Sequence, residues 1–229
     1  MNRYGNVLIV DDEEIMREIL ETLLTREGYQ VRLASSGAEG LEMARALPFD
    51  AAIVDIMMPG LDGIATLDEL KRIDVDLNAV ITDVFSLLEH QFAVGSIKVR
   101  RELSPLPATV LGIEHQLQQV FLNLFLNARD AMPRGGWLSV ATRVDADRVI
   151  VEIADTGSGI PSEQIARIYD PFFTTKSIGR GTGLGLSITY GIVREHDGTI
   201  DCESAVGQGT RFTLALPLAP ASARSARAN

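Results

Sequence analysis

Asn123, Asn127 and Asp155 are side chains that could hold a metal-bound nucleotide. The two asparagines are one helical turn apart and share a helix face, where a carboxamide oxygen can join the ligand shell of Mg²⁺. Asp155 ends the alternating strand Val149 to Ala154, so its carboxylate can accept a hydrogen bond from an adenine amino group. These residue types suit two parts of one ligand.

Glycines occupy the positions where backbone would have to approach such a ligand. Gly157 and Gly159 lack a Cβ and let the chain bend tightly after Asp155. The turn Gly181-Thr-Gly-Leu-Gly185 leads into an apolar helical run, Leu184 to Val193. Free N–H groups and the positive end of a helix dipole at this turn would suit a polyphosphate.

The order of these motifs is more informative than any one of them. A glycine cluster before a helix is usually a tight turn, and an asparagine pair on a helix is usually solvated. Lys176 and Arg180 add cations for phosphates. The motifs run in the order Asn123-Leu-Phe-Leu-Asn127-Ala-Arg-Asp130, Asp155-Thr-Gly-Ser-Gly159, Asp170-Pro-Phe-Phe-Thr-Thr-Lys176 and Gly181-Thr-Gly-Leu-Gly-Leu-Ser187. Their conjunction predicts an ATP site.

In this order the motifs resemble the N, G1, F and G2 boxes of the histidine kinase ATP-binding domain, whose fold is shared with gyrase, Hsp90 and MutL-type ATPases. The stretch from Gly207 to Pro217 resembles the closing strand of that domain, and the resemblance covers residues 96–218. It implies ATP and Mg²⁺ as cofactors and Asn123, Asn127 and Lys176 as catalytic residues. The nucleotide-binding residues that it implies are Asn127, Asp130, Asp155, Gly157, Gly159, Phe172, Lys176, Gly181, Thr182, Gly183, Leu184, Gly185 and Thr210.

Asn123 distinguishes the branches of that superfamily. The gyrase, Hsp90 and MutL-type members carry a water-activating Glu at this place, whereas histidine kinases often carry Asn. The resemblance therefore implies phosphoryl transfer to a protein side chain more than ATP hydrolysis. The sequence from Gln119 to Met132 looks most like that of the nitrogen-regulation type of sensor kinase.

The amino-terminal part alternates strands and helices, which predicts a parallel α/β unit. The predicted strands are Asn6–Val10, Gln30–Ala34, Ala51–Asp55 and Asn78–Thr82. In such sheets ligands collect at the carboxyl ends of the strands, where Asp11, Asp12 and Asp55 lie. Three carboxylates at one edge would repel each other unless a cation neutralised them, so we expect Mg²⁺ there. The plainer alternative is that strand ends simply favour Asp.

Val10-Asp-Asp12 and Asp55-Ile-Met-Met-Pro-Gly-Leu-Asp-Gly63 resemble the response-regulator receiver domain. The resemblance implies Asp55 as the phosphoacceptor, Mg²⁺ held by Asp11, Asp12 and Asp55, and Thr82 as the hydroxyl that reads the phosphoryl group. It stops after Thr82, before the fifth strand and its Lys. The expected fold is thus a partial flavodoxin-like receiver followed by an α/β two-layer sandwich.

Residues 83–95 form a predicted linker helix. Val84, Leu87, Leu88 and Phe92 give it an apolar stripe. Two alternatives remain at this point. The helix packs on the exposed receiver sheet, or it is what remains of the kinase helix that normally enters the ATP domain.

The histidines do not include a recognisable phosphoacceptor. His90 is followed by Gln on a short helix, His115 begins the helix of Asn123, and His196 ends a helix as a capping or solvated residue. We therefore expect the substrate histidine on another chain. The expected partner in trans is a histidine-containing dimerisation or phosphotransfer domain, or a response regulator. Oligomeric state stays open.

Composition excludes several classes. The chain has 229 residues, 46% hydrophobic, with a net charge of −10, which argues against bulk nucleic-acid binding. None of its apolar runs is long enough to span a bilayer, and it contains a single Cys, so we expect a cytoplasmic protein. The expected domains are a partial receiver over 1–82, the linker helix, an ATP-binding domain over 96–218 and a disordered tail over 219–229.

A catalytically silent ATP-binding module, or a deletion product without kinase activity, is the alternative function.

Overall fold

The computed structural model describes residues 5–47, 49–174 and 182–219, except for the side chain of Arg45. The chain divides into two compact units, Met1–Arg72 and Ile73–Asn229. This division falls before residue 82, where the sequence predicts the end of the receiver. The structure therefore assigns the stretch that follows Arg72 to the second unit.

The first unit is a parallel sheet with helices between its strands, as predicted. Within its described residues the strand order is β2-β1-β3, and both pairings are parallel. A small core forms where Leu8, Val10, Ala34 and Met58 are buried. Its elements are β1 (Asn6–Val10), α1 (Glu14–Arg26), β2 (Gln30–Ala34), α2 (Gly37–Ala46), β3 (Ala51–Val54) and α3 (Gly63–Lys71).

The second unit pairs a mixed sheet with a layer of helices. In the described part of this unit the sheet order is β5-β7-β8-β10-β9, with β5 parallel to β7 and the other neighbours antiparallel. A separate antiparallel pair joins β4 to β6. Its elements are β4 (Ile73–Asp76), α4 (Leu77–Val94), β5 (Ile97–Glu102), β6 (Thr109–Gly112), α5 (Glu114–Ala131), β7 (Gly136–Asp145), β8 (Arg148–Asp155), α6 (Ser162–Ile165), α7 (Gly185–Glu195), β9 (Thr199–Ala205) and β10 (Gly209–Pro217).

The strand predicted over Asn78–Thr82 is wrong, because these residues form the first turns of α4. The Asp76 side chain caps the helix by accepting the N–H of Asn78 at 3.0 Å. A short apolar run fits a strand or a buried helix equally well. Here the Asp76 cap favours the helix. Thr82 lies in the second unit and donates its hydroxyl to the Asn78 carbonyl at 2.7 Å. Its role of reading a phosphoryl group on Asp55 stays a prediction, since the two residues belong to different units.

Helix α4 packs into the core of the second unit, so the prediction that it covers the receiver sheet is wrong. Its buried residues join the same cluster as Phe121 and Phe125 of α5. The ring of Phe85 stacks on Phe125 with centroids 4.3 Å apart. The second alternative, a helix that leads into the ATP domain, is the one that the structure has.

The predicted tail begins one residue too early. Ala219 is buried and donates its N–H to the Thr109 carbonyl at 2.9 Å, so it still belongs to the fold. Residues 220–229 lie outside the described residues. In the described part of the chain, every helix is too short or too polar to cross a membrane.

Candidate nucleotide-binding site

A cavity of about 780 Å³ opens in the second unit between α5, α6, α7 and the ends of β8 and β10. It brings together most of the residues that the four motifs singled out. The predicted site residues that line it are Asn123, Asn127, Asp130, Asp155, Gly159, Thr182, Gly183, Gly185 and Thr210. Gly157, Phe172 and Leu184 do not line it, while Lys176, Gly181 and the neighbouring Arg180 lie outside the described residues.

Asp155 provides a desolvated carboxylate in this cavity. It ends β8 and lies opposite Thr210 of β10 in the antiparallel register. Its Oδ1 accepts the N–H of Gly157 at 2.8 Å. Burial raises the pKa of the Asp155 carboxyl, and backbone hydrogen bonds from Gly157 and Thr210 oppose that rise. A hydrogen-bond acceptor held in this way suits an exocyclic amino group.

Glycines let several segments cross next to Asp155. Gly159 has φ +68°, and a Cβ on it would lie 2.0 Å from the Ala205 carbonyl oxygen. A Cβ on Gly209 would lie 1.9 Å from the Asp155 carbonyl oxygen. Gly157 has a packing role, since its Cβ would lie 2.7 Å from the Cβ of Ala131 at the end of α5. These contacts explain the glycine pattern as close backbone packing around the site.

Helix α5 presents both asparagines to the cavity because its opposite face is buried in the core. The Asn123 amide donates to the Gly185 carbonyl at 3.1 Å and to the Thr189 hydroxyl at 3.4 Å. Asn123 thereby holds the start of α7 against α5. Asn127 lies one turn further along and lines the cavity.

The amino terminus of α7 faces the cavity without a side-chain cap in the described residues. Its first-turn N–H groups are therefore suited to an anion. Gly183 has φ +68°, and its Cβ would lie 2.4 Å from the Phe172 carbonyl carbon. The glycine motif thus packs directly on the backbone of Phe172. Phe172 itself has a backbone φ of +66° and an exposed side chain.

Sequence reasoning missed two features of the site. Arg129 lines the cavity, and its guanidinium contacts the carboxylate of Asp130 at 2.7 Å and the amide oxygen of Gln91. Its position inside the first motif, between Ala128 and Asp130, is the signal that the sequence offers. Apolar residues suited to a base also line the cavity: Leu126, Ile160, Ile168, Phe173, Leu186 and Phe212. These come from five separate segments, so only the fold brings them together.

The first unit contains the predicted acidic cluster. Oxygens from the carboxylates of Asp11, Asp12 and Asp55 lie within 4.8 Å of one another. Asp11 is buried and its Oδ1 accepts the N–H of Glu13 at 2.8 Å. A Cβ on Gly63 would lie 1.8 Å from the Asp55 carbonyl oxygen, so glycine lets α3 begin directly against this loop. Three carboxylate oxygens at this spacing fit the ligand preference of Mg²⁺.

His196 differs most from expectation. It is buried, with 4% exposure, and both ring nitrogens are within hydrogen-bond distance of backbone groups on different segments. The sequence predicts a capping or solvated residue here. His90 and His115 are exposed.

Comparison with known proteins identifies both parts of the chain. Residues 112–220 match the family described as histidine kinase-, DNA gyrase B-, and HSP90-like ATPase, and residues 7–91 match the response regulator receiver domain. The carboxyl-terminal part of the chain belongs to this ATPase family. The receiver match extends into α4, which the structure places in the second unit.

Two relatives with similar sequences are sensor kinases. Sensor kinase CckA of Brucella abortus (strain 2308) is 43% identical over 163 residues, which are 62% of this chain and 17% of that kinase. Sensor histidine kinase ZraS of Klebsiella oxytoca is 43% identical over 150 residues, 65% of this chain and 32% of ZraS. The chain therefore spans a third or less of the length of these two relatives.

A solved structure supports the same assignment. The nucleotide-free catalytic domain of histidine kinase ThkA is 31% identical with a TM-score of 0.59, covering 65% of this chain and 99% of that domain. ThkA is also similar in its complex with the response regulator protein TrrA, at 29% identity and a TM-score of 0.57, covering 65% of this chain and 42% of that one. The expected fold class is confirmed, and the chain combines a receiver with an ATP-binding domain of the histidine kinase kind.

Proposed function

We propose that this chain binds Mg·ATP in the cavity of its second unit and donates the γ-phosphoryl group to a histidine of another chain. The observation that carries the proposal is the meeting of Asp155, Asn127 and the uncapped start of α7 in one cavity among the described residues. These groups suit an adenine amino group, a hydrated Mg²⁺ and a polyphosphate respectively.

Each end of the nucleotide has a suitable environment. Adenine would lie against Asp155 and Gly159, with Ile160 and Phe212 beside the base. The phosphates would lie at the start of α7, with Lys176 as a further cation. Mg²⁺ would be held by Asn127 and would neutralise charge on the phosphates.

The chain's own residues position the reactants, and the nucleophile is the substrate histidine. An imidazole nitrogen of that histidine forms a bond to the γ-phosphorus while the bond to the β–γ bridging oxygen breaks, releasing ADP. Positioning and charge stabilisation are the contributions of this domain. Asn123 supplies an amide where a hydrolase needs a carboxylate, which favours transfer over hydrolysis. His196 is unsuited as acceptor because it is buried.

The receiver gives the proposal its second part. Asp55 would accept a phosphoryl group from phosphohistidine, and Mg²⁺ bound by Asp11, Asp12 and Asp55 would offset the charge repulsion. The partner would be a histidine-containing hairpin or phosphotransfer domain, or a response regulator, as in the similar ThkA–TrrA complex. We place the protein in the cytoplasm and assign it to the nitrogen-regulation type of sensor kinase.

One observation favours a second candidate, a silent ATP-binding module. Thr82, which the resemblance implies as the hydroxyl that reads the phosphoryl group, lies in a helix of the second unit and not at the end of a receiver strand. A silent module would bind Mg·ATP and compete for partners without transferring a phosphoryl group.

Transfer to an added hairpin distinguishes the two candidates. The full chain is incubated with Mg²⁺, γ-labelled ATP and the isolated histidine hairpin of a similar kinase such as CckA. At an ATP concentration below the wild-type Kd, we expect acid-labile, base-stable label on the hairpin with the wild type and with Asp145→Asn, an exposed control, and at least about tenfold less with Asp155→Asn. Nucleotide binding without label would support the silent module. Acid-labile label on this chain alone would contradict a histidine supplied in trans.

A further inference from the structure

His196 connects the two helices that frame the cavity. Its Nδ1 donates to the Ile192 carbonyl in the last turn of α7 at 2.8 Å, and its Nε2 accepts the Ile113 N–H at the start of α5 at 3.1 Å. A carbonyl only accepts and a backbone N–H only donates, so the ring is the neutral tautomer with its proton on Nδ1. The side chain thus links two helices through one ring.

The surroundings are shaped around this ring. A Cβ on Gly112 would lie 2.6 Å from Cδ2 of His196 and 2.8 Å from its Nε2, and the backbone of Gly112 does not have positive φ. Glycine is needed there to make room for the imidazole. Ile113, the residue that precedes the first turn of α5, is buried, and the ring accepts the hydrogen bond of its backbone N–H.

A second connection joins the middle of α5 to the start of α7. The Asn123 amide donates to the Gly185 carbonyl and the Thr189 hydroxyl. At a rise of about 1.5 Å per residue, Ile113 and Asn123 lie about 15 Å apart along α5. Two such points on antiparallel helices fix both their sliding and their rotation. Loss of one connection would leave the helices held at that end by apolar packing alone.

We infer that His196 is a positioning residue for the nucleotide site. By holding the end of α7 on the beginning of α5, it sets where the start of α7 lies relative to Asn127. This inference rests on the proposed function, since its consequence is measured as nucleotide affinity. His196 acts through the helices and does not line the cavity.

Two substitutions at His196 test whether the hydrogen bond to the Ile113 N–H, and not only the bulk of the side chain, is required. His196→Asn keeps a donor near the position of Nδ1 but has no acceptor near that of Nε2, whereas His196→Gln places an amide oxygen there. We expect the Kd for an Mg²⁺-bound ATP analogue to rise roughly five- to tenfold in His196→Asn and to stay within about twofold of wild type in His196→Gln. Gly112→Ala keeps the histidine but displaces its ring, and should resemble His196→Asn.

A matched control tests whether the loss of any buried hydrogen-bonding side chain raises the Kd in this way. Thr142 donates to the Asn78 side chain at 2.7 Å and accepts the Ser104 N–H at 2.8 Å, away from α5 and α7. Thr142→Val should lower stability and leave the Kd within about twofold. All variants are compared at a temperature where circular dichroism shows them folded. In the free wild type, ¹⁵N NMR should show a protonated Nδ1, an unprotonated Nε2 and a slowly exchanging Ile113 amide.

The outcomes point to different failures. A wild-type Kd in folded His196→Asn, a Gln variant as weak as the Asn variant, or an equally weak Thr142→Val would overturn the positioning role. A protonated Nε2 in the free protein would overturn the connection itself. If the wild type does not bind the analogue, the proposed function fails, and the inference that rests on it fails as well.

Discussion

At the scale of single residues, Asp155 combines a proposed role in nucleotide binding with a cost in stability. Burial raises the pKa of its carboxyl despite the backbone hydrogen bonds from Gly157 and Thr210. The ionised form is thus disfavoured in the free protein. A ligand that donates a hydrogen bond to the carboxylate would offset this cost, so the residue is arranged for a bound partner.

The pH dependence of stability should reveal this cost. Because the folded-state pKa is raised, Asp155 contributes stability below its unfolded-state pKa of about 3.9, and this contribution is lost as pH rises through the folded-state pKa. Asp155→Asn cannot ionise, so we expect it to be more stable than wild type at pH 7, with the difference closing towards pH 3. Urea unfolding at both pH values measures this. The exposed Asp145→Asn should show no such trend, and an Asp155→Asn variant less stable than wild type at pH 7 would contradict the account.

Gly159 is a second position where one residue decides. Gly159→Ala combines an unfavourable φ with a Cβ 2.0 Å from a backbone oxygen, and we expect a loss of about 1–3 kcal/mol. Gly191→Ala, in the middle of α7 with open space around it, should instead gain about 0.5–1 kcal/mol. Denaturant unfolding of both variants checks the opposite signs. Equal effects would show that backbone crossing near Asp155 is less tight than the structure has it.

At the scale of elements, helix α4 is an integral part of the second unit. Phe85→Ala removes a ring that stacks on Phe125 in the core, so we expect a loss of about 3–5 kcal/mol. Leu87→Ala, on the exposed side of the same helix, should change stability by less than about 0.5 kcal/mol. Unfolding followed by Trp137 fluorescence reports on the second unit. Similar small effects for both variants would contradict the assignment of α4 to its core.

The elements also show what the sequence could and could not predict. Alternating patterns and turn glycines sufficed for β1 to α3 and for α5, β8 and α7. The strand predicted over Asn78–Thr82 is wrong, because a short apolar segment lacks a period of its own and the Asp76 cap is evident only in the structure. The role of His196 depends on Ile113, which is 83 residues away in sequence, and on Ile192, which is four residues away. No sequence pattern marks either residue as a partner. Such pairings arise only from the packing of helices.

At the scale of the whole molecule, each unit has its own candidate ligand. The first should be stabilised by Mg²⁺, because a cation bound by Asp11, Asp12 and Asp55 in the folded state alone shifts the unfolding equilibrium. At a concentration a hundredfold above Kd this effect is about 2.7 kcal/mol. Asp12→Asn should weaken it, and Asp68→Asn, an exposed residue of α3, should not. Thermal unfolding with and without Mg²⁺ decides, and equal stabilisation of both variants would rule out the acidic cluster as the site.

Calorimetric titration of Mg²⁺ and a non-hydrolysable ATP analogue into the full chain tests the central claim most directly. In Asp155→Asn the amide oxygen can keep the Gly157 N–H, which leaves an NH₂ group to face the adenine amino group. We expect wild type and Asp145→Asn to bind alike, with affinity at least about tenfold weaker in Asp155→Asn. Absence of binding by the wild type, or equal binding by Asp155→Asn, would contradict the assignment of this cavity as an ATP site.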